Sequence, residues 1–209
     1  MFSGFSLESI LVLLGALIVS VGFHEAMHAF AAYKLGDRLA YEEGRLSLNP
    51  LRHIDIVTTV LLPFVMILFG MPPIFAAKPV PFNASEVRHG EFGIAIVGLA
   101  GPLTNLLLAA LGAFCVHAFG IATGTTAFEL FALFIKVNIG LFVFNMIPFP
   151  PLDGSRLLYA FAPDPIRRIM EQIESFGFLP LLLAIIFLFQ FISPIITSVS
   201  SEIYSILLR

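Results

Sequence analysis

FSLESILVLLGALIVSVGFHEAMHAF, residues 5–30, is an apolar run that closes on Gly22-Phe23-His24-Glu25-Ala26-Met27-His28. Two histidines at i and i+4 of a helix project from one face, and a glutamate beside the first makes His-Glu-x-x-His half of a zinc site. A catalytic zinc takes three protein ligands and leaves one position to water, with the glutamate placed to accept a proton. Ionisable groups inside an apolar segment are costly, so His24, Glu25 and His28 read as functional residues.

The rest of the chain is as apolar as its start. Of 209 residues, 58% are hydrophobic and 12% charged, with 23 Phe and a mean hydropathy of +0.98, where a soluble domain carries about 25% charged residues. The chain therefore reads as an integral membrane protein, surrounded by membrane lipid. Lys+Arg number 11 against 14 Asp+Glu, and these charges cluster between the apolar runs without forming a basic face, which argues against nucleic acid as a partner. The lone Cys115 sits in an apolar run, excludes an intramolecular disulfide and offers no thiolate metal cluster. Leu11 to Val21 would pass as the apolar core of a signal peptide, but no basic region precedes it and it runs straight into the metal motif. It is expected to be a retained first span.

Segment one, Ser6 to Lys34, is long enough to cross a ~30 Å hydrocarbon core. Leu35 to Asp55 is too polar for lipid and reads as a loop with room for a short strand pair. Segment two, Ile56 to Phe69, is short and interrupted by Pro63, which leaves a thin span and a re-entrant hairpin both open. Ala77 to Phe82 reads as extended chain because of its prolines. Segment three, Phe92 to Phe119, contains Gly98 to Asn105, whose small residues allow close helix approach, with Pro102 expected to kink it. Segment four, Ala127 to Ile147, stops at Pro148-Phe149-Pro150-Pro151, where the backbone must become irregular. A polar loop with Arg156, Arg167 and Arg168 leads to segment five, Ser175 to Ser193, and an apolar tail to Leu208 that either extends it or lies along the interface. The fold class expected is an all-α polytopic helix bundle of about 4–6 transmembrane or re-entrant segments. It forms a single domain over 1–209, with its core at about 6–160 and a C-terminal membrane segment at about 175–205.

Lys and Arg favour the cytoplasmic side of short loops. Lys34, Arg38, Arg45 and Arg52 follow segment one, Lys78 and Arg88 follow segment two, and the loop at 120–126 carries no charge. A re-entrant segment two satisfies the rule throughout. It puts Lys34 to Glu91 in the cytoplasm and returns Asp153 to the membrane side of His24 and His28, as a shared metal requires.

A third ligand must come from elsewhere in the chain. His117 lies near the far end of segment three, Asp37 is too close in sequence to fold back, and Asp164 between Pro163 and Pro165 resembles a turn residue. Asp153 is delivered by irregular backbone at the end of a membrane segment, which is tolerated at that depth mainly where it lines a cavity. His53 and Asp55 are either supporting partners or members of a solvated loop. Asn145 is a candidate catalytic donor to a substrate carbonyl or oxyanion, and equally a cap for freed helix carbonyls. Asn105 reads mainly as a polar link between helices.

His24-Glu25-Ala26-Met27-His28, Gly101-Pro102-Leu103-Thr104-Asn105 and Asn145 through Pro148-Phe149-Pro150-Pro151-Leu152-Asp153-Gly154 together resemble the site-2 protease family of intramembrane zinc metallopeptidases, in its compact prokaryotic form. Arg45 to Pro50 and His53-Ile54-Asp55 resemble the same branch. The resemblance covers roughly residues 20–160 and implies one zinc per chain, held by His24, His28 and Asp153, with Glu25 as catalytic base. Taken with the charge pattern, the chain is expected to be a multi-pass protein of the cell membrane with its active site toward the cytoplasm, acting on transmembrane protein substrates. Residues 79–82 or a neighbouring loop edge could hold an unwound substrate as an added strand. A metal transporter and a catalytically silent scaffold are the competing classes. The absence of an internal repeat or a second His/Asp cluster argues against the first, and intact ligands argue against the second. Nothing in the sequence fixes an oligomeric state.

Overall fold

The computed structural model describes residues 7–49, 81–177 and 179–209. Among them the chain forms helices α1 (Leu7–Lys34), α2 (Leu39–Glu42), α3 (Gly90–Ala118), α4 (Thr126–Asn145), α5 (Gly154–Phe161), α6 (Asp164–Ser175) and α7 (Leu179–Leu207). Leu11–Lys34, Gly90–Ala118 and Thr126–Asn145 are long and apolar enough to cross a membrane. A fourth crossing is available to α7, whose parts Leu179–Ile185 and Gln190–Leu207 meet at 83°. The expected segment Ile56–Phe69, together with His53, Asp55, Lys78 and the prolines at 63 and 79, lies outside the described residues.

The bundle is arranged around α3, which packs against α1, α4, α5 and α7. Lipid tails are as apolar as leucine, so helices in a bilayer associate through close packing and polar links more than through water exclusion. Small residues on α3 supply that closeness. A Cβ at Gly112 would stand 3.0 Å from Ile135 Cγ1 on α4, and one at Gly98 would stand 2.7 Å from Arg156 Cβ on α5. Ala109, Ala113 and Val116 of α3 interlock with Ile135, Ile139 and Val143 of α4, and Ile196 and Ile203 of α7 pack against them. At the other end of α3, Ile94 and Val97 meet Ala32 of α1 and Val87.

Two stretches differ from the reading of the sequence. Beyond α1 the described part of the loop contains the short helix α2 and no strand. After Asp153 the polar stretch is not an open loop but α5 and α6, joined by an Arg156 Nη1–Glu174 Oε1 ion pair of 3.0 Å. Asp164 opens α6 behind the Pro163 N-cap, where its charge suits the positive end of the helix dipole. The C-terminal tail continues α7 through Pro194 as far as Leu207.

Asp37 fastens the end of α1 to the chain entering α3. It is fully buried, its Oδ1 accepts from Leu39 N at 2.8 Å, and its Oδ2 accepts from Asn83 N at 2.7 Å. Arg88 N adds a bond to Leu35 O at 2.8 Å. Replacing Asp37 by alanine orphans two backbone donors and is expected to cost about 2–4 kcal/mol. Thermal unfolding in detergent should show it, with Asp37→Asn, which retains one acceptor, falling between the two.

Candidate metal centre

His24 and His28 lie on successive turns of α1, and α3 crosses directly beneath them. Asp153 arrives from the opposite side, on the break between α4 and α5. That break turns on Phe149 N to Ile147 O at 2.8 Å and Leu152 N to Phe149 O at 2.9 Å, around a cis Pro150-Pro151 bond. Gly154 lets the chain double back on itself, since a Cβ there would collide with the Met146 carbonyl and stand 2.8 Å from Ile147 O. The result is an aspartate set against α1 although it is far away in sequence.

The three side chains point their donor atoms at one place. His24 Nε2 and His28 Nε2 are 3.0 Å apart, and Asp153 Oδ2 lies 3.1 Å from the first and 3.3 Å from the second. Around a tetrahedral ion with bonds of 2.0–2.2 Å, ligand atoms stand about 3.3–3.6 Å apart, so the triad is a zinc cradle within a few tenths of an ångström. Its protonation agrees. His24 Nδ1–H donates to Asn105 Oδ1 at 2.6 Å, and His28 Nδ1–H donates to the Val97 carbonyl at 2.7 Å. In its neutral form each ring therefore turns an Nε2 lone pair inward, and two lone pairs facing a carboxylate call for a cation among them.

Gly101 forms the floor. A Cβ there would collide with His28 Nε2 and stand 2.7 Å from His24 Nε2, so this glycine leaves the space in which an ion fits. In the sequence it reads as a packing residue, and its contact with both rings depends on the rotation of α3 about its axis.

Glu25, one residue after His24, is half-buried on α1. Asn145 is engaged elsewhere, its Nδ2 donating to Leu141 O on its own helix at 3.0 Å. His117 is far from the cradle, with Nε2 against the Leu207 carbonyl at 3.1 Å. Asn105 is more than a link between helices, because it holds His24. It also reaches two residues the sequence reading did not assign, Asn138 on α4 and Ser20 on α1. Ser20 stands four residues before His24, on the same helical face, and that spacing is the signal that could have found it.

Gly101→Ala should leave the helix intact, since alanine favours a helix interior by about 1 kcal/mol over glycine, while its methyl group fills the cradle. Metal analysis of the purified variant is expected to show less than a tenth of the wild-type zinc, about the loss produced by His24→Ala.

No family model and no solved structure matched the chain. A Bacillus subtilis protein named zinc metalloprotease YwhC is 39% identical over 186 residues, covering 86% of this chain and 79% of its own length. The Methanocaldococcus jannaschii protein named zinc metalloprotease MJ0611 is 32% identical over 154 residues, 72% of each chain. A third relative, named zinc metalloprotease Rip2, from Mycolicibacterium smegmatis, is 31% identical over 170 residues, or 81% of this chain and 64% of its own length. With such identity over most of its length and a zinc-shaped donor triad among its apolar helices, the chain belongs to this site-2-protease-like family of zinc metalloproteases and is a membrane protein with Zn2+ as its cofactor.

Proposed function

We propose that the protein is an intramembrane endopeptidase that hydrolyses peptide bonds in or near transmembrane segments of other membrane proteins. The observation that supports this reading is the place of the donor triad along α3, a helix long and apolar enough to span a membrane. The residues of α3 beside it are Val97 and Gly101, and Gly90 to Val97 is about 10 Å of helix, which supports a centre below the membrane surface among the spans.

His24, His28 and Asp153 are the metal ligands in this reading. Zinc held there would supply Lewis acidity, making water acidic enough to lose a proton near neutral pH and polarising a peptide carbonyl. Glu25 accepts the proton of the attacking water and passes it to the leaving amine. Asn145, beside the break that delivers Asp153, is the candidate donor to the substrate carbonyl, a role open to the second N–H of its amide while the first is donated to Leu141 O. A substrate helix has its carbonyls tied up in internal bonds and must unwind before any of these groups can reach it.

The same reading sets the orientation. The metal centre lies toward the end of the bundle that carries Lys34, Arg38, Arg45 and Arg88, and the uncharged 120–126 loop lies at the other, which supports an active site toward the cytoplasm of a cell membrane. In a Cys115→Ser background, Thr123→Cys should react with an impermeant maleimide on intact cells and Ala84→Cys should not. The reverse pattern would overturn the orientation.

The activity is tested in proteoliposomes against single-span peptides carrying a helix-weakening residue near the cytoplasmic end, with cleavage sites located by mass spectrometry. Glu25→Gln is expected to retain one zinc and to lose about 10²–10⁴-fold in cleavage rate. Wild-type rates in that variant, or cleavage confined to soluble peptides, would refute the proposal.

A further inference from the structure

Asn105, Asn138 and Ser20 form a fully buried polar chain behind His24, and its hydrogen bonds have a direction. Asn138 Nδ2 donates to the Phe134 carbonyl at 2.9 Å and to Ser20 Oγ at 2.8 Å. A carbonyl can only accept, so the Asn138 amide cannot turn over without setting oxygen against oxygen. Its Oδ1 is therefore left to accept from Asn105 Nδ2, at 3.0 Å. Asn105 Nδ2 is fixed a second time by the Ser20 carbonyl, at 3.2 Å. With both its N–H groups engaged, Asn105 can show His24 only its oxygen, and it does so at 2.6 Å.

We propose that Asn138, acting through Asn105, is a positioning residue that sets the tautomer of His24, keeping the proton on Nδ1 and the Nε2 lone pair free for the metal. The proposal rests on the reading of His24 as a zinc ligand. The two helix carbonyls, Phe134 O on α4 and Ser20 O on α1, are the fixed ends that give the chain its polarity. Without the Asn138 oxygen, one N–H of Asn105 is buried without a partner. Only the longer bond to the Ser20 carbonyl, at 3.2 Å, then holds the amide in this orientation, and the share of Asn105 turned to present N–H to His24 rises, which would move the ring proton to Nε2 and block coordination. Asn138→Asp keeps an oxygen facing Asn105 in either protonation state and so preserves the direction.

The test uses the full-length protein in detergent, stripped of zinc and labelled with 15N-histidine, at pH ~8.5 where an ordinary imidazole is neutral. The His24 ring nitrogens, assigned with His24→Gln, should show a protonated Nδ1 in the wild type and in Asn138→Asp, and a mixture of tautomers in Asn138→Leu. In chelator competition Asn138→Leu should bind zinc about 10-fold more weakly and Asn138→Asp within about 3-fold of wild type, against a range of about 10–100-fold for loss of a ligand's own partner. A folded Asn138→Leu protein with the wild-type tautomer and affinity would overturn the proposal. If that variant does not fold, a tenfold loss or a mixed tautomer in Asn138→Asp would overturn it instead. Failure of the wild type to bind one zinc would count against the metal-ligand reading alone, because the tautomer is measured without metal.

Discussion

Lone pairs that face one another inside an apolar bundle are the constraint on which the structure turns. His24, His28 and Asp153 bring three electron-rich atoms to within 3.3 Å of one another. Such an arrangement is unfavourable unless a cation sits in it, and it holds its shape only if every group behind it is committed. The Val97 carbonyl commits His28, and Asn105 commits His24. Asp153 is placed by backbone that turns back on the end of α4 through Gly154. Each of these supports is polar, buried and paired, as the low dielectric of a bilayer demands.

Helix α3 supplies no ligand, yet it shapes the centre more than any other element. It gives up side-chain volume where other parts need to come close: at Gly101 for the imidazole rings, at Gly98 for Arg156 on α5, and at Gly112 for Ile135 on α4. It also supplies the Val97 carbonyl and the Asn105 side chain. Stability and chemistry therefore use the same face, and the small residues that let helices pack without a water-driven force also make the floor of the metal site.

Much of this was legible in the chain itself. The i, i+4 spacing of His24 and His28 needs only a helix, and the apolar run supplies one. Asp153 stood out from the other aspartates because prolines precede it at the end of a span, and the family resemblance then named it. The packing role of Gly98 to Asn105 was visible as well. Helices α5 and α6 were not, because α5 is only eight residues long and α6 is rich in Arg and Glu, so they read as a polar loop until their buried residues, Tyr159, Ala160 and Met170, are known. Ser20 and Asn138 were hidden for another reason. Each is a single polar residue in an apolar helix; spacing puts Ser20 on the face of His24, but its meeting with Asn138 depends on how the helices are rotated about their axes, which no local pattern encodes.

The ligands of the centre belong to different parts of the chain, two on α1 and one on the α4–α5 break. An ion bound by all three is thus a cross-link between elements that otherwise meet through α3 and through direct α1–α4 packing, including the Asn138–Ser20 bond. Anything that binds the assembled form and not the separated one stabilises it by RT ln(1 + [L]/Kd). Free zinc is then a thermodynamic variable of helix association as well as of catalysis. A cell that withholds the metal would leave a protein that is both inactive and more loosely held together.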